Sequence, residues 1–551
     1  MVKISSLLVI GATIAQYSFA SLWPIPKVFT TGCTNIDLPS SCLEITVDGC
    51  SNDILDRAID RYTDLILNEN FKPPLDYNIA PLQASGSVQG VTISVATENI
   101  NLDLQTDESY TLTVSQNGTI AINAQSTFGA IRGLETLSQL FISNQGRKFI
   151  KNVPINIQDS PVFKHRGLML DTSRNFYSIA SIKRTLDAMS YSKMNVFRWH
   201  IVDSQSWPVE SKFDPRLNAL GAYGPDMIYT HKDVTDIISY ARDRGIRVIP
   251  EFDMPGHTYI VGLSNPEIMS CLNFLPDWDK YAAEPPSGQL NIIKPGAYSF
   301  VNKLIAEYSS LFTDNVFHVG GDEVNLNCWE KDPDIMAYLA QNSTDSVKSI
   351  LGRFYANIYA NLKVNNKTGM CWEESLMEGI ANPPKDTIIQ AWIDPKSVVS
   401  AVEKGYRVVA APYSYSYLDC GHGQWLSNLY NGTSWCDPFK FWGHIYSYNP
   451  YVNITTPEKR ALVLGGEVNL WSEQSDDVIV DKMLWPRAAA AGELYWKGPV
   501  DENADMSEAV ESASPRINEF RFRLLGRGIN AEPTQPLWCV RNPGKCALPP
   551  S

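Results

Sequence analysis

Two adjacent acids, Asp322 and Glu323, follow the run His318-Val-Gly-Gly and are the side chains best suited to acid–base chemistry. Cleavage of a glycosidic bond needs one carboxylic acid to protonate the leaving oxygen and a second group to stabilise the developing cation. Neighbouring residues of a strand point to opposite faces, so this pair fits poorly a scheme in which two carboxyls flank one bond. One acid would act on the glycosidic bond and the other on a neighbouring substituent of the sugar. A substrate N-acetyl group is such a group, because its carbonyl oxygen can attack the anomeric carbon.

The elements that must position these acids follow from the pattern after His165. Short apolar runs alternate there with helical stretches, which predicts parallel strands covered by helices on their outer face. Eight such units predict a (β/α)8 TIM barrel, an α/β fold with its active site at the carboxyl ends of the strands. No Gly-x-Gly-x-x-Gly follows the first run, which argues against a dinucleotide-binding open sheet. The predicted strands are 167–171, 195–201, 247–252, 316–320, 369–372, 387–392, 407–411 and 462–470, and predicted helices include 179–192, 232–244, 297–312 and 345–364.

Each predicted strand end carries a charged or aromatic side chain. Taken singly, each has a simpler explanation: a Trp beside a strand usually packs in the core, a lone Asp usually caps a helix, and His200 and His318 fit satisfied polar core positions. Core packing does not explain acids and Trp at so many ends together. Apolar rings can wall a sugar while acids and Arg bind its hydroxyls, so the set indicates carbohydrate chemistry. Its members are Arg174, Asp203, His257, Asp322, Glu323, Trp372, Trp392, Tyr417, Asp419, Trp471 and Glu473.

Residues 21–160 precede the barrel and differ from it in pattern. Helices at 53–70 and 127–141, with alternating strands at 91–96, 110–114 and 119–124, predict a small α+β domain. This part contains no His and few candidate catalytic groups, so we expect it to have a structural role. Residues 161–551 are then expected to form the catalytic barrel and a C-terminal tail.

The net charge and the first twenty residues indicate which partners and which cellular route to expect for the protein. The 551-residue chain has 46 Lys and Arg against 60 Asp and Glu, a net charge of −14, which argues against a nucleic-acid partner. Residues 1–20 combine Lys3, an apolar stretch and the end Ser18-Phe19-Ala20, a pattern typical of a secretory signal peptide. No later run reaches the roughly 18 apolar residues of a membrane span, so no membrane partner is predicted.

Sequons and cysteines agree with export. Asn-x-Ser/Thr sequons occur at Asn117, Asn342, Asn366, Asn431 and Asn453. An oxidising compartment would pair most of the ten Cys, and their positions favour the pairs Cys271–Cys328, Cys420–Cys436 and Cys539–Cys546. The sequence does not choose a pair among Cys33, Cys42 and Cys50, and it predicts Cys371 as a free buried thiol. No Cys-x-x-Cys occurs, so metal binding by Cys is not predicted.

The segment His318-Val-Gly-Gly-Asp322-Glu323 resembles the signature of β-N-acetylhexosaminidases of glycoside hydrolase family 20. The resemblance covers nearly all of the chain after residue 20 and is strongest to fungal members, through the Cys pattern and Cys420-Gly-His-Gly. It extends to Phe128-Gly-Ala-Ile-Arg-Gly-Leu-Glu-Thr-Leu, Arg174, Trp199-His-Ile-Val-Asp203, Asp253-Met-Pro-Gly-His257, Trp372, Trp392, Tyr417-Leu-Asp419 and Gly465-Gly-Glu-x-x-Leu-Trp471-Ser-Glu473.

The resemblance implies an exo-acting, retaining enzyme that removes terminal β-linked GlcNAc through an oxazoline-type intermediate, with no cofactor or metal. Glu323 would be the general acid and then the general base, and Asp322 would hold the acetamido N–H. Tyr417 would hydrogen-bond the acetamido oxygen, although Tyr413 and Tyr415 lie in the same segment and the sequence alone leaves the alignment open.

The resemblance also implies how the sugar is bound. The aromatic walls would be Trp372, Trp392 and Trp471. The residues that bind ring hydroxyls would be Arg174, Asp419 and Glu473. The residues that support the catalytic groups from behind would be Asp203, His257 and His318. The family often has a second acid after the position of Asp203, and this chain has Ser204 there.

Two other classes of protein fit parts of this pattern less well. A metal-dependent barrel hydrolase could use His200, Asp203, His257, His318 and Asp322 as ligands, but no strand end carries a His-x-His pair. A carbohydrate-binding protein without catalysis is disfavoured because every predicted acid–base position is filled. The sequence does not separate GlcNAc from GalNAc as the sugar removed, nor chitin oligomers from glycans as the substrate. It also leaves open secretion, retention at the cell wall or delivery to a vacuole, and the family implies a homodimer only by analogy.

Overall fold

The structure is a computed structural model, and it describes residues 22–39, 42–69, 71, 73–74, 81–427 and 429–548. The expected signal peptide, residues 1–20, lies outside the described residues. Among the described residues, no helix combines the length and the apolar character that crossing a membrane requires.

The first part of the chain forms a mixed sheet with two helices packed on it. Helices α1 (Asp53–Asn68) and α2 (Thr127–Leu140) begin at the capping residues Asn52 and Ser126. Both end slightly before the predicted bounds, and α2 stops at Leu140 because the next residue starts a strand. The strands are β1 (Val28–Asp37), β2 (Ile45–Gly49), β3 (Gly86–Ser87), β4 (Gly90–Val95), β5 (Tyr110–Val114), β6 (Thr119–Ala124), β7 (Phe141–Asn144) and β8 (Arg147–Asp159). Their order is β2-β4-β6-β5-β8-β1-β3, and β7 pairs with β8.

The second part is a closed parallel barrel, as the sequence predicts. Each of the eight predicted runs overlaps one barrel strand, and the apolar character of these strands follows from burial on both faces. The barrel strands are β9 (His165–Asp171), β10 (Val196–Val202), β11 (Arg247–Phe252), β14 (Val316–His318), β15 (Thr368–Trp372), β16 (Ile388–Ala391), β17 (Arg407–Ala410) and β18 (Val463–Leu470). The short antiparallel strands β12 (Met269–Ser270) and β13 (Gln289–Leu290) lie in the excursion that follows β11.

One predicted strand ends before it reaches Asp322 and Glu323, so the two acids are not neighbours on a strand. The run 316–320 was expected to be a strand, but β14 stops at His318. Gly320 and Gly321 have φ of +66° and +100°, so the chain leaves the strand before the two acids. Their separation therefore comes from a turn and not from the alternation of side chains along a strand.

Helices surround the barrel and their ends follow local capping signals. Thr230 and Asp233 form the reciprocal capping box expected from their spacing, at the start of α5. The helices are α3 (Ile179–Tyr191), α4 (Arg216–Gly221), α5 (His231–Arg242), α6 (Pro295–Leu311), α7 (Leu326–Lys331), α8 (Pro333–Gln341), α9 (Val347–Val364), α10 (Glu374–Met377), α11 (Pro395–Glu403), α12 (Tyr413–Ser416), α13 (Trp442–Tyr446), α14 (Pro457–Arg460), α15 (Val480–Leu484), α16 (Arg487–Lys497), α17 (Met506–Gly526) and α18 (Leu537–Arg541).

Three disulfides close loops of the barrel part. They join Cys271 to Cys328, Cys420 to Cys436 and Cys539 to Cys546. The first two tie the excursion after β11 and the loop after β17, both of which border the carboxyl ends of the strands. The cysteines left free are Cys33, Cys42, Cys50 and Cys371, of which the last is buried.

Buried ion pairs join the two parts of the molecule. Glu108, which precedes β5, accepts hydrogen bonds from Arg132 of α2 (2.9 Å) and Arg166 of β9 (2.6 Å). Burial alone would favour the neutral acid, but the two guanidinium groups hold the pKa of Glu108 below its usual value. All fourteen residues of α2 are buried, so this helix is enclosed by its own domain and by the barrel.

We predict that Glu108→Gln destabilises the whole molecule. The change leaves two buried guanidinium groups without a compensating charge, a loss on the order of 3–5 kcal/mol. Thermal unfolding followed by circular dichroism should show a clearly lower Tm. Glu98→Gln, at an exposed position of the same domain, is the control and should leave Tm within about 1 °C of the parent. Equal Tm values for the two variants would contradict the role given to Glu108.

Candidate active site

A cavity opens at the carboxyl ends of the barrel strands. Its floor is closed by the buried barrel interior. Nine of the residues that the sequence placed in a site line this cavity. They are Arg174, His257, Asp322, Glu323, Trp392, Tyr417, Asp419, Trp471 and Glu473.

The turn after β14 sets the positions of the two adjacent acids. The amide of Gly321 donates to the carboxylate of Asp253 (2.8 Å), which fixes the turn. A Cβ atom on Gly320 would lie 1.8 Å from Oδ1 of Asp253, so no larger residue fits there. Asp322 is buried, whereas the side chain of Glu323 is 36% exposed and faces the cavity.

A histidine links Glu323 to the barrel interior. His257 places Nε2 3.3 Å from Oε2 of Glu323 and Nδ1 3.1 Å from Oδ1 of Asp203. Burial disfavours charge on this ring, but the carboxylate of Asp203 raises the pKa of His257 well above its usual value. The protonated ring can donate to both carboxylates, and it then has no lone pair for a metal ion.

Behind Asp203 the network continues to a second histidine. His200 donates from Nε2 to Oδ2 of Asp203 (2.9 Å), and its Nδ1 lies within ion-pairing distance of Glu251 (3.1 Å). Burial opposes this charge, yet the two carboxylates raise the pKa of His200 to about 9. Arg174 also contacts Asp203, at 3.0 Å.

His318 does not join this chain of charges. Burial lowers its pKa to about 3, so the ring is neutral at ordinary pH. Its Nδ1 accepts the amide of Gly320 (3.0 Å), and its ring packs edge-on against Trp372 at 5.2 Å. His318 thus supports the turn that carries the acids.

Asp322 and Asp253 form a buried acid pair. Burial and the neighbouring charge of Asp322 raise the pKa of Asp253 well above its usual value. Burial raises the pKa of Asp322 as well, while the nearby His257 and the hydrogen bond from Asp253 oppose that rise. The charged form of Asp322 is therefore the better stabilised of the two, because His257 and Asp253 act in its favour.

Aromatic rings surround Asp322. Trp392 stacks nearly parallel to Tyr417, with ring centroids 6.0 Å apart. Trp372 is buried behind the lining residues, 6.1 Å from both Trp392 and Trp471. Of the three Tyr in this segment, Tyr417 lines the cavity, whereas Tyr415 stacks on His444 at 4.5 Å and Tyr413 packs against Trp435 at 5.0 Å.

The opposite side of the cavity is polar. Arg174 pairs with Glu284 (3.1 Å), an acid that is not at a strand end. Burial raises the pKa of Asp419 to about 7, and burial together with Glu284 raises the pKa of Glu473 well above its usual value. Arg174 can donate hydrogen bonds to sugar hydroxyls, and the carboxyl groups of Asp419 and Glu473 can accept them or, when protonated, donate them.

Several lining residues escaped the analysis of the sequence. Glu284 lies in the excursion held by Cys271–Cys328, and Trp425 and Trp435 lie in the loop closed by Cys420–Cys436. Reading strand ends alone could not find them. The signals available were the Pro pair after Glu284 and the aromatic residues between the two Cys.

Comparison with known proteins agrees with this architecture. Residues 163–499 match the family model described as glycosyl hydrolase family 20, catalytic domain, and residues 22–140 match the model described as beta-acetyl hexosaminidase like. The chain is 36% identical over 554 residues to the chitooligosaccharidolytic beta-N-acetylglucosaminidase of Bombyx mori, covering 96% of this chain and 89% of that protein. It is 38% identical over 489 residues to beta-hexosaminidase 1 of Coccidioides posadasii, covering 83% and 81%.

Solved structures show the same fold. The chitobiase of Flavobacterium johnsoniae superposes with a TM-score of 0.74 at 29% identity, covering 93% of this chain and 73% of that one. The GH20 exo beta-N-acetylglucosaminidase of Vibrio harveyi, solved in complex with N-acetylglucosamine, gives 0.75 at 26% identity, covering 94% and 78%. The similarity thus extends over both parts of the chain, to insect and bacterial proteins as well as fungal ones.

We predict that Gly320→Ala lowers kcat more than a Gly→Ala change that causes backbone strain without a steric clash. The new methyl group meets the Asp253 carboxylate and must displace the turn that holds both acids. A displacement of about 1 Å should lower kcat on a chromogenic β-GlcNAc on the order of a hundredfold. Gly405→Ala is the control, because Gly405 has φ of +77° and open space around it. Its cost should be about 1–3 kcal/mol of stability with kcat retained. Equal kcat for the two variants would contradict the steric role of Gly320.

We predict that His200 makes stability depend on pH above neutrality. The pKa of His200 is about 9 in the folded chain, against about 6.5 for an unfolded His. The stabilisation is complete below about pH 6.5 and is lost as pH rises through 9, at up to about 1.4 kcal/mol per pH unit. Tm of the parent should fall more steeply between pH 7 and 9 than Tm of His200→Gln. His422→Gln, at an exposed position, should keep the parental slope, and parallel curves for parent and His200→Gln would refute the prediction.

Proposed function

The chain belongs to glycoside hydrolase family 20 as a β-hexosaminidase, and we propose that it removes terminal β-linked GlcNAc from chitooligosaccharides by substrate-assisted catalysis. The relatives from Bombyx mori and Vibrio harveyi support the choice of sugar, since one is named for chitooligosaccharides and the other was solved with N-acetylglucosamine. The closed floor of the cavity supports cleavage of one terminal sugar at a time.

The observation that carries the mechanism is the placement of Asp322 beside Glu323. Both carboxylates approach the same atom, Nε2 of His257, at 3.9 Å and 3.3 Å. Both therefore lie on the side of the site that His257 occupies, with one oxygen of each acid within 4.8 Å of the other. Glu323 reaches the open cavity while Asp322 is buried among aromatic rings. This arrangement supports a nucleophile supplied by the substrate and not by the enzyme.

The first step would break the glycosidic bond. Glu323 transfers its proton to the glycosidic oxygen, and the leaving group departs with the electron pair of the bond. The acetamido carbonyl oxygen attacks the anomeric carbon on the opposite face and closes an oxazoline-type ring. Asp322 accepts a hydrogen bond from the acetamido N–H, whose positive charge grows, and Tyr417 donates to the acetamido oxygen.

The second step would reverse the roles. Glu323, now a carboxylate, removes a proton from water while the water oxygen attacks the anomeric carbon and the oxazoline ring opens. Two inversions at this carbon retain the β configuration. The protonated His257 stabilises the Glu323 carboxylate between the steps, and Asp203 keeps that ring charged.

Sugar binding would use both sides of the cavity. Trp392 and Trp471 provide apolar faces for the acetamido methyl group and the sugar ring, with Trp372 packed behind them. Hydroxyl groups would be bound by Arg174, Asp419, Glu473 and the neighbouring Glu284. The same groups would decide how well GalNAc replaces GlcNAc, because the two sugars differ only in the direction of one hydroxyl.

Passage through the secretory pathway is part of the proposal. Three disulfides in the barrel part support folding in an oxidising compartment. Four sequon residues are exposed and accessible to glycosylation, namely Asn117, Asn366, Asn431 and Asn453, and Asn342 is half-buried.

The experiment compares a chromogenic β-GlcNAc with the matching β-glucoside, each with and without a thiazoline mimic of the cyclised intermediate. We expect fast cleavage of the first only, blocked by the mimic. Glu323→Gln should lose about 10²–10⁴-fold in kcat, and less on a substrate with a better leaving group. Tyr417→Phe should also lose activity, while Tyr415→Phe, whose ring faces His444, is the matched control. Equal cleavage of both substrates without inhibition would mean an enzyme-borne nucleophile.

A further inference from the structure

Two consecutive acids at the end of β15 hold Trp392 from both ends. Glu373 accepts the backbone amide of Trp392 through Oε2 (2.7 Å) and the hydroxyl of Ser397 through Oε1 (2.6 Å). Glu374 accepts the indole N–H of Trp392 through Oε1 (3.0 Å). The backbone and the ring of Trp392 are therefore fixed by different side chains.

The surroundings of Glu374 do not suit a carboxylate. Its second oxygen, Oε2, is buried and has no hydrogen-bond partner. Within the described part of the chain, no Lys, Arg or His forms an ion pair with it. The ionisable groups that face it are the acids Asp322 and Glu373 and the weak acids Tyr355 of α9 and Cys371 of β15. A buried anion without a cationic partner is costly, and a second anion beside Asp322 adds repulsion.

We propose that Glu374 is a positioning residue that acts as an uncharged acid, fixing the indole of Trp392 beside Asp322 without adding a second negative charge to the pocket. The inference rests on the proposed function, because it assigns Trp392 to the acetamido pocket. It adds a requirement that the catalytic scheme does not contain, namely that one buried acid stays protonated.

The electrostatics agree with the geometry. Burial, and next the charge of Asp322, raise the pKa of Glu374 well above its usual value. An uncharged Glu374 adds no second negative charge beside Asp322, which faces the acetamido group where positive charge would develop. A charged Glu374 would divide that electrostatic effect between two sites.

The placement of Trp392 matters because other rings depend on it. Its indole stacks on Tyr417 at 6.0 Å with an interplanar angle of 9°, and it meets Trp372 at 6.1 Å with an angle of 70°. Releasing the N–H of Trp392 would free a ring that borders both the methyl pocket and the Tyr417 hydroxyl. We therefore expect the loss of Glu374 to alter how the pocket distinguishes acyl groups.

The test uses the full chain with Glu374→Leu, which removes the acceptor, and Glu374→Gln, which keeps it without any charge. On a chromogenic β-GlcNAc we expect Glu374→Leu to lower kcat about ten- to a hundredfold. Glu374→Gln should recover most of this loss and keep at least about a third of the parental kcat, since the amide mimics the neutral acid. Glu378→Gln, at an exposed position four residues later, is the matched control and should match the parent.

A second readout separates positioning from a merely structural role. The ratio of kcat/KM for the N-acetyl substrate over its N-propanoyl analogue should fall at least about threefold in Glu374→Leu and stay near the parental ratio in Glu374→Gln, because a loosened Trp392 admits a larger acyl group. An unchanged ratio in a folded Glu374→Leu would overturn the proposal.

Glu374→Gln decides the question by itself if Glu374→Leu does not fold. A loss of tenfold or more in Glu374→Gln would mean that a carboxylate is required, and the proposal would be wrong. A different result would refute the proposed function itself: the parental enzyme would cleave the β-glucoside as fast as the β-GlcNAc. Selectivity for the N-acetyl group in the parent, with no effect of either Glu374 variant, would overturn this inference alone.

Discussion

The buried guanidinium of Arg198 is the charge that allows acids to occupy the interior of the barrel. It pairs with Glu467 (2.7 Å) and with Glu251, and all three side chains are fully buried. Burying any one of them alone would cost several kcal/mol. Because Arg198 compensates the negative charge of Glu251, this carboxylate can stay ionised inside the barrel. It accepts the indole N–H of Trp372 (3.0 Å) and faces His200, which in turn contacts Asp203. The support behind the cavity therefore begins at the centre of the barrel.

The acids of this molecule fall into two classes according to what faces them. Asp203, Glu251 and Glu467 contact Arg or His side chains, and their pKa values lie below the usual range. Asp253, Glu374, Asp419 and Glu473 lie where carboxyls or aromatic rings dominate, and their pKa values lie above it. The same carboxyl chemistry is thus held in its charged form behind the cavity and is shifted toward its neutral form around the cavity. Asp322 lies between the two classes, because burial raises its pKa whereas His257 and the hydrogen bond from Asp253 lower it.

The two parts of the chain are joined by interactions of the same kind. Glu108 pairs with both Arg132 and Arg166 at the junction, and Lys193 of the barrel part contacts Asp159 of β8 (2.8 Å). Helix α17 extends the junction, because Arg523 reaches Glu69 at 3.0 Å. The described residues of the first part contribute none of the side chains that line the cavity, and these ion pairs join that part to the barrel.

The sequence by itself determined the barrel, because buried parallel strands and capped helices leave local patterns such as the run 247–252 and the pair Thr230–Asp233. The sequence also predicted that residues far apart in the chain meet, because the carboxyl ends of parallel strands converge on one rim. Arg174, Trp392 and Glu473 lie together at that rim. Only the tertiary structure decided the turn at Gly320, the entry of Glu284 from a disulfide-tied excursion, and the surroundings that raise the pKa of Glu374. Backbone angles in a turn, the path of a long loop and the pKa of a buried acid all depend on neighbours far away in the chain, and no local pattern records them.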